Sequence, residues 1–249
     1  MTKVSTLSIQ VDSIHLDSAV GRLLELRRLR LGGYVCAANV HMCMLAYDDK
    51  EFANVVNRAD MVVADGRPIF WAQRLLGEKG AEQVRGQDLM LSLCDIAAKK
   101  GLNIGLYGGA DTQVLQQVVQ ELRLRFRELS ITFSQVPPYR PLMEDESQTV
   151  CEEIEMSAVD FLFVGLGCPK QEIWMASNKE KLSCVALGVG AAFDFISGAK
   201  RKAPLWVRQV GMEWFFRLCC EPRRLWKRYL VQNPRFLFYF MLQLIRGER

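Results

Sequence analysis

Two apolar runs of this sequence each end in a pair of glycines, with a polar helical segment between the runs. The glycines are Gly165, Gly167, Gly188 and Gly190. Continuous apolar runs of this length predict parallel strands that are buried on both faces. Ligands of such sheets bind at the carboxyl ends of the strands, and glycine lets a ligand approach the backbone closely. The pattern predicts a binding edge, although tight strand-to-helix turns without a ligand would give the same pattern.

The residues after the first glycine pair favour an anionic ligand. Pro169 suits the first turn of a helix, so Lys170, Gln171 and Glu172 should lie in that turn, above the strand ends. The amino terminus of a helix attracts anions, and Lys170 adds a positive charge. We therefore expect a ligand that carries phosphate at this edge.

An aspartate follows another apolar stretch. Asp65 comes directly after residues 61–64, which places its carboxylate at the same edge of the sheet. That carboxylate could do chemistry there, or it could cap the helix expected next, and the residues alone leave both readings open. Arg85 is similarly open, because it could hold a phosphate or pair with a surface acid.

The chain as a whole predicts an α/β fold with a Rossmann-like, mostly parallel sheet and helices on both faces. Beyond the two glycine-ended runs, strands are expected at residues 5–11, 34–38, 61–64, 102–107 and 131–133. Helices are expected at residues 15–30, 41–57, 69–76, 89–100, 113–127 and 144–157, with Asp88 as the cap of the fourth. We assign residues 1–200 to an α/β catalytic domain and residues 201–249 to a helical appendage.

Composition narrows the class of protein. The chain has 249 residues, with two histidines and eight cysteines that show no Cys-x-x-Cys spacing, so we expect reduced core cysteines and no metal site. No run of about 18 apolar residues predicts a membrane span. The start of the chain lacks the apolar core of a signal peptide, which favours a cytoplasmic protein.

The charge is distributed unevenly. Residues 200–249 carry 12 basic and 3 acidic side chains, whereas the first 199 residues have a net charge of −5. Such a basic tail points to a polyanionic partner, and Pro204, Pro222 and Pro234 should divide it into three helical segments. A helical wheel of the middle segment separates a basic arc from an apolar arc. The basic arc holds Arg223, Arg224, Lys227 and Arg228, and the apolar arc holds Leu225, Trp226, Tyr229 and Leu230.

Such a helix is typical of proteins that lie on a membrane surface. The alternative is a helical pair that packs on the α/β body with its arginines in solvent. We expect an anionic membrane, and not nucleic acid, as the partner of the tail.

These motifs together resemble the WecG/TagA/CpsF family of bacterial glycosyltransferases. The matching residues are Asn39, Ala64–Gly66, Gly86–Leu89, Gly108–Gly109, Val164–Glu172, Gly188–Asp194, Arg201–Pro204 and Glu221–Arg224. The resemblance covers roughly residues 35–236. It implies an inverting, metal-independent transferase that moves a sugar from a UDP-sugar to a polyprenyl-diphosphate-linked sugar. Such an enzyme works without a cofactor, at the cytoplasmic face of the cell membrane, in cell-surface polysaccharide synthesis.

The resemblance also implies roles for residues. Asp65 becomes the catalytic base, and the family's nucleotide-sugar contacts fall on Asn39 and Gln171. With the residues argued above, the expected nucleotide-sugar site is Asn39, Arg85, Gly108, Gly109, Gly167, Lys170, Gln171, Gly188, Gly190 and Asp194. The expected contacts to the acceptor diphosphate or the membrane are Arg217, Arg223, Arg224, Lys227 and Arg228.

Two departures from the family pattern leave questions open. Ala37 stands where the family has a threonine, and Gln83 stands where it often has an arginine, a charge that Arg85 could supply. The resemblance implies a hexosyltransferase or an N-acetylmannosaminyl-type transferase, but it does not predict which sugar is transferred or which lipid-linked acceptor is used, and it leaves a homo-oligomer open. A dinucleotide-dependent oxidoreductase is disfavoured because no Gly-x-Gly-x-x-Gly follows the first strand. A non-enzymatic nucleotide-binding or membrane-associated adaptor remains the alternative.

Overall fold

A computed structural model describes residues 2–140, 143–201, 203–204, 206–207 and 211–247 of the chain. The strands are β1 (Lys3–Thr6), β2 (Ile9–Asp12), β3 (Gly33–Ala38), β4 (Met61–Ala64), β5 (Asn103–Gly108), β6 (Ser130–Gln135), β7 (Phe161–Gly165) and β8 (Val185–Gly188). The helices are α1 (Leu16–Leu29), α2 (Val40–Asp48), α3 (Lys50–Asn57), α4 (Arg67–Leu75), α5 (Gly86–Lys100), α6 (Thr112–Arg125), α7 (Glu144–Met156), α8 (Lys170–Asn178), α9 (Ala192–Ile196), α10 (Glu213–Cys220), α11 (Pro222–Trp226) and α12 (Gln232–Arg246).

Within these residues, six parallel strands form one sheet in the order β4-β3-β8-β7-β5-β6. Strands β3 and β4 form one side of the sheet, β5 and β6 form the other, and β7 and β8, the last in the chain, lie in the centre. Such reversals of strand order open a crevice at the carboxyl ends of the strands. The predicted fold class, a Rossmann-like α/β sheet with helices on both faces, is confirmed.

The strands are buried on both faces, and their side chains alternate between two apolar cores. In β7, Leu162 and Val164 join one core, and Phe161 and Phe163 join the other. All four side chains are fully buried. Helices α2, α3, α7 and α8 contribute to the first core, and α1, α5 and α6 contribute to the second. Burial on both faces explains why the strands read as continuous apolar runs.

The strand expected at residues 5–11 is wrong. These residues form an antiparallel hairpin in which β1 pairs with β2, separate from the main sheet. The turn between the two strands contains Leu7, whose φ of 53° lies in the left-handed region. Non-glycine residues seldom adopt that conformation, so Leu7 itself gives no indication of a turn. The alternation of apolar residues therefore predicted one continuous strand.

Two expected helix boundaries also move. The helix expected over residues 41–57 is two helices, because Asp49 is extended and its Oδ1 accepts hydrogen bonds from the backbone N–H groups of Glu51 and Phe52. Helix α5 begins at Gly86 and follows Arg85, not Asp88. The Gly86 N–H donates to the distant Asp65 carboxylate, a tertiary contact that local sequence does not reveal.

The tail is more continuous than its prolines suggest. Helices α11 and α12 join through a π-helical turn, Lys227–Val231, in which the Gln232 N–H donates to the Lys227 carbonyl. Pro234 lies just inside α12 and does not divide the tail. Since proline has no N–H to continue an α-helical ladder, a wider turn before it keeps the helix unbroken. The segment expected between Pro204 and Pro222 contains α10, while residues 205 and 208–210 of that segment lie outside the described residues.

Helix α12 is packed into the α/β body. Phe236 and Phe240 are buried in the first core. The Gln243 side chain accepts a hydrogen bond from the Leu7 N–H at 2.9 Å and donates one to the Ser5 carbonyl at 2.7 Å. The division at residue 200 stays a prediction, but cutting there would remove side chains from the core. No helix in the described ranges has the length and apolar character needed to cross a membrane.

Candidate active site

A cavity of about 1290 Å³ opens at the carboxyl edge of the sheet. The loops after the strands form its floor, and side chains from α10 and from the helix that follows it close one side. The predicted site residues that line it are Asn39, Asp65, Arg85, Gly109, Gly167, Lys170, Gln171, Gly188, Gly190, Asp194, Arg217, Arg224 and Arg228. The other three predicted residues, Gly108, Arg223 and Lys227, are not part of this wall.

Asp65 lies at the end of β4 with its position fixed by backbone contacts. Its N–H donates to the Ala38 carbonyl at 2.9 Å, and its Oδ1 accepts from the Gly86 N–H at 2.8 Å. A hydrogen bond to Oδ1 leaves Oδ2 as the oxygen that can take a proton from a ligand. The backbone of β3 and the start of α5 thus hold one carboxylate at the cavity wall.

The surroundings of Asp65 change its acidity. Burial raises the pKa of the Asp65 carboxyl to about 6 and outweighs the Gly86 hydrogen bond, which lowers it. Glu213 raises this pKa further, whereas Arg217 and Arg228 lower it. A carboxylate with a pKa near the working pH is suited to accept a proton in a reaction.

Asp65 did not turn out to be the cap that the sequence left possible. Helix α4 begins after Gly66, and no side-chain cap is found there. A side-chain cap is found instead at a different helix, α2, where Asn39 Oδ1 accepts a hydrogen bond from the Met42 N–H at 3.2 Å. Asn39 therefore both orders a helix and lines the cavity.

Gln171 joins the two glycine loops. Its Oε1 accepts from the Gly167 N–H at 3.2 Å and from the Gly190 N–H at 3.1 Å. Both glycines have positive φ values, 79° and 54°. The residue is buried at 3% exposure, so most of its side chain contacts protein.

Gly108 is explained by packing without any ligand. Its φ is 124°, and a Cβ at this position would lie 2.6 Å from the carbonyl carbon and oxygen of Gly165. The next residue, Gly109, donates its N–H to that carbonyl at 3.2 Å and lines the cavity. Close approach of β5 and β7 thus requires the first glycine and leaves the second beside the ligand space.

Arg85 and Gln83 are joined by their side chains. Gln83 donates to the Asp65 carbonyl at 2.6 Å and accepts from Arg85 Nη2 at 3.4 Å. Arg85 also forms ion pairs with Asp88 at 3.6 Å and with Glu213 at 4.0 Å. Its Nε is buried and has no hydrogen-bond acceptor among the described residues. Arg85 therefore lies beside Gln83 in the cavity wall with one donor still to satisfy, and its role in place of the family arginine stays a prediction.

A chain of ion pairs links the body to the tail at the rim. Lys200 contacts Asp194 at 2.5 Å and Glu221 at 3.7 Å, and Glu221 contacts Arg224 at 2.5 Å. Asp194 is therefore paired within the protein, although it lines the cavity. Lys170, at the opposite rim, is exposed and lies 5.9 Å from the centroid of the Tyr139 ring.

Two tail arginines approach Asp65 from the opposite wall. Arg217 lies 5.3 Å above the Phe195 ring, and its buried Nε has no hydrogen-bond partner within the described ranges. Arg228 is half-buried, and burial together with the charge of Arg217 lowers the pKa of its guanidinium. Two neighbouring guanidinium groups that repel each other form a place for an anion.

The basic arc predicted from the helical wheel is split by the fold. Leu225 and Tyr229 are buried, whereas Trp226 and Leu230 are 45% and 56% exposed. The helical wheel considers the helix alone and ignores the surface on which it packs. Packing against the α/β body turns some residues of each arc towards the body and others towards solvent. Arg224 and Arg228 line the cavity, while Arg223 and Lys227 remain outside its wall.

Sequence reasoning missed several polar groups at this cavity. His41 lines it with Nδ1 buried and without a partner in the described part of the chain, and burial lowers its pKa to about 4. Tyr107 and Trp174 also line the cavity, with ring centroids 4.7 Å apart. Glu213 comes from the tail. Of these residues, only Tyr107 could have been predicted from the sequence, because it precedes the glycine pair at the end of a strand.

The arrangement combines one carboxylate of raised pKa with backbone amides and arginines. Backbone N–H groups and guanidinium groups stabilise negative charge on phosphate, and the carboxylate can take a proton from a hydroxyl group. In the described ranges, no cluster of three or more His, Cys, Asp or Glu side chains could hold a metal ion.

Comparison with known proteins gives a consistent picture. Residues 4–249 match the model of the family described as "Glycosyl transferase WecG/TagA/CpsF family". A relative from Bacillus subtilis (strain 168) is 28% identical over 202 residues, which cover 81% of this chain and 76% of the relative. A relative from Staphylococcus aureus (strain NCTC 8325 / PS 47) is 27% identical over 217 residues, covering 87% of this chain and 81% of the relative. Both are described as N-acetylglucosaminyldiphosphoundecaprenol N-acetyl-beta-D-mannosaminyltransferases.

Proposed function

Because the chain belongs to the WecG/TagA/CpsF family of glycosyltransferases, we propose that it transfers a sugar from a UDP-sugar to a sugar on a polyprenyl diphosphate, with inversion. The observation that carries this proposal is Asp65, a carboxylate of raised pKa in the wall of a cavity that also contains Arg217 and Arg228. The names of the relatives make UDP-N-acetylmannosamine the first donor to test and a lipid-linked N-acetylglucosamine the first acceptor.

Asp65 acts as the base in this proposal. The acceptor hydroxyl oxygen attacks the anomeric carbon from the face opposite UDP, and a new carbon–oxygen bond forms. The bond between the anomeric carbon and the phosphate oxygen breaks, and UDP leaves with the bonding electrons. The proton of the hydroxyl group moves to Oδ2 of Asp65, since Oδ1 is held by Gly86.

The leaving diphosphate is stabilised by groups on both walls of the cavity. The loops that contain Gly167 and Gly190 lie on the body side, with Lys170 at the rim. Arg85 is positioned between the body and Glu213 of the tail. The amino terminus of α8, which follows the Gly167 loop, and the preorganised cations face the developing charge and lower the barrier to the reaction, so we propose that transfer needs no metal ion.

The tail arginines face the acceptor. Arg217 and Arg228 lie on the tail side of the cavity near Asp65. Arginine pairs bidentately with phosphate oxygens, which suits the diphosphate of the lipid acceptor. With that diphosphate held there, the sugar attached to it reaches the catalytic carboxylate.

We also propose that the protein attaches to the cytoplasmic face of the membrane through its tail. Trp226, Leu230, Leu237, Met241 and Ile245 are exposed apolar residues on α11, the π turn and α12. Within Trp226–Leu230 and within Leu237–Ile245 they recur every four residues, so each set shares one face of its helical segment. Arg223 and Lys227 add exposed positive charge beside them.

The proposal is tested by incubating the purified protein with UDP-N-acetylmannosamine and a short-chain lipid diphosphate N-acetylglucosamine. UDP release that depends on the acceptor, together with a disaccharide lipid product, is the expected result. Other UDP-sugars, tested in parallel, identify the donor if this one is inert. Binding of UDP-sugars without transfer to any lipid-linked acceptor would overturn the enzyme proposal and favour an adaptor.

A further inference from the structure

A buried pair of side chains lies beneath the two glycine loops. Gln171 Nε2 donates to Glu172 Oε1 at 2.7 Å, while Gln171 Oε1 accepts from the N–H groups of Gly167 and Gly190. Glu172 is fully buried and Gln171 is 3% exposed. Both side chains are therefore shielded from water although they lie next to the cavity.

The orientation of the Gln171 amide depends on Glu172. Two N–H donors converge on one end of the amide, so that end must be the oxygen. The other end is the nitrogen, and it needs an acceptor, which Glu172 Oε1 supplies. If the amide turned over, its nitrogen would face two N–H groups and its oxygen would face a carboxyl oxygen. Glu172 thus favours the bridging orientation from the nitrogen end of the amide, as the two glycine N–H groups do from the oxygen end.

The surrounding backbone leaves space for this arrangement. A Cβ on Gly188 would lie 2.8 Å from Gln171 Nε2, so any larger residue there would displace the amide. Burial raises the pKa of the Glu172 carboxyl, and hydrogen bonds with Gln171 and with the Cys168 thiol lower it. Oε1 can accept from Gln171 in either protonation state of Glu172, since a proton can reside on Oε2.

We propose that Glu172 is a positioning residue of the transfer reaction: it orients the Gln171 amide, which holds the loops after β7 and β8 at the spacing that the donor diphosphate needs. Glu172 is too deeply buried to touch the donor, and its effect passes through Gln171. The kinetic consequences rest on the proposed function, whereas the loop geometry can be tested without any reaction.

The first test measures amide hydrogen exchange by NMR in the ligand-free full-length protein. Glu172→Met removes the acceptor at similar side-chain length, and we expect Gly167 and Gly190 to exchange about tenfold faster. The Gly109 N–H, bonded to the Gly165 carbonyl at the same edge, should be unchanged. Glu172→Gln keeps an acceptor oxygen and should restore slow exchange. Gln73→Met, another buried polar-to-apolar change, should leave both loops unaffected.

The second test measures transfer kinetics. Glu172→Met should raise the donor KM about tenfold with a smaller change in kcat, because the loops bind the diphosphate before and during transfer. Gln171→Ala should have a similar effect. The double variant should be no worse than either single variant, since both remove the same bridge. Rescue of the donor KM by Glu172→Gln distinguishes loss of the acceptor from general loss of stability.

Unchanged exchange at Gly167 and Gly190 in Glu172→Met would overturn the proposal, as would kinetic losses that multiply in the double variant. Faster exchange throughout β7 and β8 would also overturn it, because it would mark a general structural role. If Glu172→Met does not fold, Glu172→Asp, which withdraws the acceptor by one carbon, replaces it with the same expected results. Altered exchange in a protein without transferase activity would contradict the proposed function and leave the loop bridge supported.

Discussion

The two walls of the cavity are built differently. On the body wall, backbone N–H groups hold the polar side chains: Gly86 holds Asp65, and Gly167 and Gly190 hold Gln171. On the tail wall, Arg217 has a buried Nε without an acceptor in the described part of the chain, and Arg228 is half-buried beside it. On the body wall, Oδ1 of Asp65 and the amide oxygen of Gln171 are thus satisfied within the protein, although Arg85 Nε and His41 Nδ1 have no partner among the described residues. The tail wall, by contrast, has cationic groups that an anion would satisfy.

This difference suggests a division of labour within the proposed reaction. A preorganised wall suits catalysis and donor binding, since its dipoles need no rearrangement when charge develops. A wall of arginines suits a ligand that brings its own negative charge, as a lipid diphosphate does. The same tail presents apolar side chains outwards, so acceptor binding and membrane attachment would use opposite sides of it.

The largest expected effect lies on the body wall. Asp65→Asn keeps the size of the side chain and removes the base, so kcat should fall by about 10²–10⁴. UDP binding, measured by calorimetry, should remain, because the diphosphate contacts lie elsewhere on the wall. Unchanged thermal unfolding controls for the fold, and near-normal turnover would remove Asp65 from the mechanism.

A smaller loss is expected on the tail wall. Arg217→Gln and Arg228→Gln each remove one charged donor, and kcat/KM for the lipid acceptor should fall about 10- to 100-fold. Donor hydrolysis in the absence of acceptor should change little. Steady-state kinetics with varied acceptor distinguish the two effects. Equal losses with donor alone would assign these arginines to the donor site.

Arg223 and Lys227, which lie outside the cavity wall, provide a matched comparison with the tail arginines that line it. Arg223→Gln with Lys227→Gln should weaken binding to anionic vesicles about 30-fold at low salt, because each basic group contributes about 1 kcal/mol near such a surface. Transfer to a short-chain acceptor in detergent should remain. Vesicle flotation with phosphatidylglycerol measures the first effect, and the Arg228→Gln variant should float normally. Equal flotation by both variants and the parent would show that this charge does not attach the protein.

The smallest effect is expected from metal removal. Because amides and arginines are proposed to meet the charge of the diphosphate, excess EDTA should change the transfer rate by less than about twofold. Rate measurements with and without chelator, followed by added Mg²⁺ or Mn²⁺, test this. Activity that is lost in EDTA and restored by the metal ion would mean that the diphosphate is held in another way.

The two regions also differ in how far the sequence could predict them. In the body, strand positions such as 61–64 and the glycine-ended runs were readable because burial on both faces leaves continuous apolar segments. The links between distant residues were not readable. The bond from Gly86 to Asp65 and the bridge at Gln171 depend on which strands become neighbours.

The tail was harder to read because its helices pack on the body. A helical wheel assumes that all residues on one side of a helix have the same surroundings. In the apolar arc, however, Leu225 and Tyr229 are buried while Trp226 and Leu230 are exposed. Pro234 looked like a boundary, yet a π-helical turn carries the helix past it. The sequence predicted that the tail is basic, but it could not predict which basic side chains face the cavity and which face solvent.

The pH dependence of kcat/KM tests most directly whether one carboxylate of the body is tuned by the arginines of the tail. The proposed base must be unprotonated, so kcat/KM should fall as the pH drops through the raised pKa of Asp65, about 6. Since Arg228 lowers that pKa, Arg228→Gln should move the acidic limb to higher pH. A profile that is flat between about pH 5 and 8, or an acidic limb that Arg228→Gln leaves in place, would contradict the account.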